Sequence, residues 1–219
     1  MTPIGILGGT FDPVHFGHLR TAMELMECLR LEEVRFVLCR VPPLGKKPRA
    51  AVEARLAMLE VAVRQESRFV VDERELHRDG PSYSVDTLES LRAEFPDRPL
   101  CLIAGMDAFA SLPEWHRWDE LLSLAHLVVA HRPGAPLPDG DALRWVLDRH
   151  RTVDPADLAG MTAGRILLHA VTQLDISSSA IRETVARGES ARYLVPDRVL
   201  EFLEAEGCYA RDRDKRVRA

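Results

Sequence analysis

Residues 8–19 read Gly8-Gly9-Thr10-Phe11-Asp12-Pro13-Val14-His15-Phe16-Gly17-His18-Leu19; an apolar run at 4–7 leads into them and a helical pattern leads out. A glycine pair at the C-terminal end of a first strand lets backbone N–H groups approach a ligand without interference from Cβ, and the helix N-terminus that follows attracts negative charge. In an open α/β sheet that edge is where ligands bind. The spacing is neither GxGxxG nor GxxxxGK[ST], so the dinucleotide-binding and P-loop readings both fail. His15 and His18 lie three apart, so their rings project from one side toward the anion site, where imidazole N–H groups can donate to phosphate oxygens. A lone histidine is more often an ordinary surface or core residue. Two of them, with Gly17 between and a Gly-Gly strand end just before, favour the anion reading. Metal ligation by the pair is a weaker third reading, since no carboxylate or third histidine lies at suitable local spacing.

Outward from this segment, short apolar, β-branched runs recur at 4–7, 34–38, 69–71, 100–104, 127–130 and 166–168, each the length of a buried strand. Leu19, Ala22, Met23, Met26 and Leu29 put one apolar face on a helix over 16–30, and similar faces occur at 50–64, 84–95 and 196–206. Strands that alternate with helices need crossover connections. This predicts an α/β fold, Rossmann-like and doubly wound, with a mainly parallel sheet and helices on both faces. Residues 132–164 break the rhythm with Pro133, Gly134, Pro136, Pro138, Asp139 and Gly140 before a helical pattern at 142–149. They read as a surface excursion within one domain covering 1–210. The stretch 211–219 alternates in charge without apolar anchors and reads as a disordered, solvated tail.

The 219 residues are 46% apolar and 29% charged, enough for one buried core. A net charge of −5 argues against a nucleic-acid partner, which would call for clustered Lys and Arg. No run reaches the roughly 18 apolar residues needed to cross a bilayer, and the start lacks a basic, apolar leader pattern, so a cytoplasmic protein with no membrane partner is expected. Cys28, Cys39, Cys101 and Cys208 lie far apart with no CxxC and read as small core residues in a reducing compartment. Assembly into a homo-oligomer stays open.

Near the other end, Leu174-Asp175-Ile176-Ser177-Ser178-Ser179-Ala180-Ile181-Arg182 follows the last apolar run. The serines are natural N-caps for a helix running to about Arg187, with Gly188 as its stop. Arg182 then falls near the start of that helix, where the macrodipole disfavours a cation, so an anion should compensate. A triphosphate would do so; a bridge to a surface carboxylate is the ordinary alternative. The His-x-Gly-His turn and the Ile-Ser-Ser-x-x-Ile-Arg helix start together resemble the HxGH nucleotidyltransferase superfamily. Within it, the chain is similar to the bacterial nicotinate mononucleotide adenylyltransferases from Ile4 to about Tyr209. The narrower likeness rests on residues 81–88 (PSYSVDTL), Gly105-Met106-Asp107, Trp115-His116-Arg117-Trp118 with Glu120-Leu121, Arg132-Pro133-Gly134, and Tyr193-Leu194-Val195-Pro196 with Val199.

What the resemblance implies is transfer of the adenylyl group of ATP to nicotinate mononucleotide, giving nicotinate adenine dinucleotide and pyrophosphate in NAD synthesis. The triphosphate would lie on backbone groups of Gly8, Gly9, Thr10 and Phe11, with His15, His18, Lys46, Ile176, Ser177, Ser178 and Arg182. Of these His15, His18, Lys46 and Arg182 would be catalytic. Mg²⁺ would be held mainly through the ATP phosphates. Tyr83, Ser84, Gly105, Asp107, Trp115 and Arg132 would face the mononucleotide or its pocket, with Trp115 stacked on the pyridine ring. Trp115 as a core aromatic and Asp107 as a helix cap are the ordinary alternatives. The chain departs from the family in three places. Pro42-Pro43-Leu44-Gly45-Lys46-Lys47 stands for the usual Pro-Pro-His-Lys, so the phosphate lysine is Lys46 or Lys47, with Lys46 favoured. Ser179 stands where threonine is usual, and 132–164 is long. A pantetheine-phosphate adenylyltransferase or cytidylyltransferase would share both phosphate motifs but lack the 81–88 and 115–118 blocks. A non-catalytic nucleotide sensor would be expected to have lost one of His15, His18 or Arg182.

Overall fold

The computed structural model describes residues 1–44, 47–172 and 174–210. The chain runs β1 (Ile4–Gly9), α1 (Phe16–Cys28), β2 (Glu33–Leu38), α2 (Val52–Val63), β3 (Phe69–Asp72), α3 (Ser84–Glu94) and β4 (Leu100–Gly105). It continues through α4 (Met106–Ala110), two 3₁₀ turns (Leu112–Glu114 and Trp118–Glu120), α5 (Leu121–Leu124), β5 (His126–His131) and α6 (Asp141–His150). Then come β6 (Arg151–Thr152), α7 (Asp157–Gly160), β7 (Ile166–Ala170), α8 (Ser178–Ala186) and α9 (Asp197–Glu206).

The seven strands of the described residues form one sheet in the order β3-β2-β1-β4-β5-β7-β6, and every neighbouring pair is parallel. Period-two alternation sends successive side chains to opposite faces. On one face Phe36, Leu38, Ile103 and Val128 meet α1, α2, α8 and α9 through Leu25, Met26, Met58, Leu59, Ile181 and Leu203. On the other, Ile4, Ile6, Val37, Leu102, Leu127 and Val129 meet α3 and α6 through Val85, Leu88, Leu91, Leu143, Val146 and Leu147. Each large apolar side chain so covered stabilises the fold by about 1.5–3 kcal/mol relative to exposure. The strand order reverses between β1 and β4, so the C-terminal ends of those strands, Gly8-Gly9 and Gly105, flank the switch-point crevice.

The segment 132–164 is more than a surface excursion. Its helix α6 buries Leu143, Val146 and Leu147, and Arg151–Thr152 pairs with β7 as the sheet's edge strand. The missed strand has two residues, too few to carry a periodic signal. Of the cysteines, Cys101 is buried as expected, but Cys28 is exposed. No helix among the described residues is long and apolar enough to cross a membrane. Residues 211–219 lie outside the described residues.

Candidate active site

β1 delivers Gly8 exposed at its end, with no atom within 4 Å of where a Cβ would stand. Phe11 takes a left-handed φ of 44° and turns its ring into the core, 1% exposed. There it meets Phe36 at 5.8 Å and the edge of His18 at 5.2 Å between centroids, so only its backbone is left for a ligand. His15 is the N-cap of α1, and its ring stacks on that of His18 at 3.7 Å between centroids and 28° between planes. The backbone N–H of His15 donates to Nδ1 of His18 at 3.3 Å. Nδ1 of His18 is therefore the acceptor nitrogen, and the ring hydrogen sits on Nε2. Burial lowers His15 to about 4; burial, with His15 alongside, lowers His18 to about 3. Both rings are neutral N–H donors at pH 7, and Nδ1 of His15 is buried without a partner. Gly17 makes the stack possible, since a Cβ there would stand 2.9 Å from Cε1 and Nδ1 of His15.

The second motif docks directly on the first. Ser177 caps α8, its Oγ accepting from the Ala180 N–H at 3.2 Å. Ser178 Oγ–H donates to the carbonyl of Pro13 at 2.9 Å. The Ile176 carbonyl lies 3.6 Å from where a Cβ of Gly17 would be. Arg182 donates through Nη1 to the Asp12 carbonyl at 2.6 Å and through Nη2 to Ser179 Oγ at 3.1 Å, while its buried Nε has no partner. The anion that compensates Arg182 in the free chain is the buried carboxylate of Asp12, 3.4 Å from Nη1. Lys46 lies outside the described residues; Lys47 is exposed.

Three supporting residues escaped the sequence reading. Asp12, 3% exposed, accepts the N–H groups of Arg49 and Ala50 at 2.8 and 3.1 Å and the hydroxyl of Tyr209 at 2.7 Å. The signal was an acidic residue inside a segment built to attract anions. Arg55, 2% exposed, donates to the carbonyls of Thr10 and Cys39, each at 2.7 Å, and so braces the chain leaving β1 against that leaving β2. Its sign was a cation on the same helical stripe as Met58 and Leu59. Tyr209, remote in sequence, gave none.

The other residues lie along the same strand-end edge. Tyr83 is the N-cap of α3, and the first helical bond runs from the Thr87 N–H to its carbonyl at 3.2 Å. The N–H groups of Ser84, Val85 and Asp86 precede that bond and point out of the helix start. Ser82 anchors this start to the chain after β2, its Oγ accepting the N–H groups of Arg40 and Val41 at 3.1 and 3.3 Å. The Tyr83 ring lies 4.2 Å from that of exposed His116, beside Trp115, whose half-buried indole N–H donates to Ser111 Oγ at 3.4 Å. Gly105 and Asp107 are exposed at the end of β4, and Asp107 makes no side-chain cap. Arg132, after β5, pairs with Asp175 at 3.2 Å, one residue before Ile176. An apolar cavity of about 460 Å³, lined by Trp118, Leu121, Leu122, His126 and Trp145 among others, includes none of these residues.

The description "cytidylyltransferase-like" belongs to the family model that matches residues 6–184. A Methylococcus capsulatus protein called probable nicotinate-nucleotide adenylyltransferase is 50% identical over 209 residues, 95% of this chain and 100% of that protein. An Aeromonas salmonicida protein of the same description is 45% identical over 210 residues, 96% of this chain and 98% of the relative. Among solved structures, Plasmodium falciparum nicotinic acid mononucleotide adenylyltransferase complexed with NaAD superposes with a TM-score of 0.73 at 15% identity, covering 95% and 98% of the two chains, which speaks to the fold.

Proposed function

The chain belongs to the cytidylyltransferase-like family, among its nicotinate-nucleotide adenylyltransferases, and we propose that its two docked motifs hold ATP while the start of α3 receives the acceptor. The reaction transfers the adenylyl group of ATP to nicotinate mononucleotide, giving nicotinate adenine dinucleotide and pyrophosphate, a step of NAD biosynthesis. The observation that carries the site reading is the direct bonding of the two motifs, Ser178 to Pro13 and Arg182 to Asp12. It puts two neutral imidazoles, a guanidinium and a helix N-terminus beside one exposed strand end.

A phosphate monoester is mostly ionised at neutral pH, so the attacking oxygen needs no strong base. The residues act by positioning and by matching charge. His18, its Nδ1 occupied, offers Nε2–H to a phosphate oxygen, and Arg182 offers its remaining Nη hydrogens. Lys46, outside the described residues, would add a cation. The N–H groups of Ser84 to Asp86 suit the nicotinate carboxylate, and Trp115 supplies a face for the pyridine ring.

Mg²⁺ fits this site through the substrate. Among the described residues no three His, Cys, Asp or Glu converge on a common point, and the Asp12 carboxylate is already taken up by N–H and O–H donors. The ion would be held by phosphate oxygens and water, and when bound it neutralises charge on the departing pyrophosphate. Pyrophosphate release from ATP is to be followed with nicotinate mononucleotide, 4′-phosphopantetheine and a cytidylyltransferase acceptor in parallel. Release with the first alone supports the reading; release with another acceptor alone overturns it.

A further inference from the structure

Tyr209 lies 197 residues from Asp12 in sequence, yet its hydroxyl donates to Oδ1 of Asp12 at 2.7 Å. Its position is imposed by the chain. Gly207 ends α9 with φ 59°, and Tyr209 itself takes φ 66°, a conformation that a bulky residue adopts only when its surroundings hold it there. Burial and the neighbouring Asp12 carboxylate push the phenol upward, so it stays protonated and donates. The same carboxylate accepts the N–H groups of Arg49 and Ala50 and faces Nη1 of Arg182. One buried anion thus joins the chain at Arg49 and Ala50, the guanidinium of α8 and the segment after α9.

We infer that Tyr209 is a positioning residue for ATP, acting through Asp12 to fix Arg182 and the backbone at Arg49 and Ala50 before the triphosphate arrives. This rests on the reading of Arg182 as a phosphate ligand. With the hydroxyl in place, Oδ1 is shared between the Tyr209 O–H and the Ala50 N–H, which leaves Oδ2 turned to the Arg49 N–H and the guanidinium. Without it, only the Arg49 and Ala50 N–H groups hold the carboxylate, which can then close further on Nη1 of Arg182 and hold the guanidinium back from phosphate. The acceptor site at the start of α3 shares none of these bonds, so loss of the hydroxyl should be felt on the ATP side alone.

The test is Tyr209→Phe, which removes one oxygen and keeps the ring. Calorimetry with α,β-methylene-ATP and Mg²⁺ reads the ATP side without any acceptor, so its outcome is independent of whether the acceptor is correctly identified. We expect Kd for the analogue to rise about five- to tenfold, KM for ATP to rise with it, and KM for nicotinate mononucleotide to stay within twofold. In an Arg182→Lys background the same change should add less than twofold, because the two act through one path. An unchanged Kd overturns the inference. So does an equal rise in both KM values with a lowered Tm, which is what a merely structural tyrosine would give, or full additivity with Arg182→Lys.

Discussion

Replacing Gly17 by alanine tests whether the histidine stack is what the turn is built to present. Gly17 is the second residue of α1, where alanine in place of glycine would gain at most about 0.5–1 kcal/mol of helix stability. Against this, the new Cβ would stand 2.9 Å from Cε1 and Nδ1 of His15. Carbon atoms pack at roughly 3.5–4.0 Å, so the ring must move by about half an ångström or more. It has little room: His15 is 5% exposed, and its ring lies 3.7 Å from that of His18. Overpacking of this kind costs about 1–3 kcal/mol, leaving a net loss of up to about 2.5 kcal/mol. In a chain of this size that is roughly 2–4 °C of Tm per kcal/mol. The catalytic effect should be larger, since a misplacement of order 1 Å can cost roughly 10²-fold. We expect kcat for pyrophosphate release to fall about 10–100-fold with a Tm drop of a few degrees. A variant with wild-type kcat would refute the claim that the stacked rings are held in a working position by the absence of a Cβ at residue 17.

His18→Ala should lower kcat roughly 10²–10³-fold with a smaller change in KM, as for loss of a donor to developing charge, and unchanged turnover in a folded variant would remove His18 from the mechanism. Arg182→Ala should weaken ATP binding in calorimetry. It should also destabilise the free chain by about 1–3 kcal/mol, because it breaks the bonds to Asp12 and leaves a buried carboxylate less well partnered; a variant as stable as the parent would contradict the Asp12 pairing. With His15 lowered to about 4 and His18 to about 3 from an ordinary 6.5, the unfolded chain binds more protons than the folded one below pH 6.5. The pair's contribution to stability is therefore full above that pH and is lost as pH falls through 4 toward 3, and His15→Gln with His18→Gln should flatten the pH dependence of the urea-derived stability there. Part of the slope should survive through His126, which burial also lowers; an unaltered slope would mean that the pair is not neutral in the folded chain.

The parts of the fold that were legible in the sequence are those in which a local pattern and the tertiary structure agree. Ile4 and Ile6 alternate into a strand, Ala22, Leu25 and Met26 lie on one face of a helix, and Ser177 caps another. Strand–helix alternation then implied the parallel sheet, and with it the edge where Gly8 and Gly105 emerge. Short elements carried no such pattern, so α4, α5, the 3₁₀ turns over 112–120 and the two-residue β6 went unread. In the site, the cap by Ser177 and the placing of His15 and His18 on one side of the helix start followed from their spacing, but the stacking of the two rings over Gly17 did not. The bonds of Asp12 did not, because Arg49, Arg182 and Tyr209 reach it from 37, 170 and 197 residues away. For the same reason neither the triphosphate nor the surface carboxylate expected to compensate Arg182 pointed to buried Asp12: dipole arguments see a helix, not the loop packed against it. Lys46 remains an expectation, outside the described residues.

The most direct measurement of the central claim is kcat/KM for nicotinate mononucleotide against nicotinamide mononucleotide, with ATP and Mg²⁺ saturating. The N–H groups at the start of α3 fit a carboxylate and oppose an NH₂ group, and the helix dipole adds positive potential there. A donor left facing an amide N–H costs about 1–3 kcal/mol, so the acid should be preferred roughly 10–200-fold. Trp115→Ala should weaken both acceptors and keep most of that ratio. Equal kcat/KM values, or a preference for the amide, would contradict the placement of the acceptor on α3.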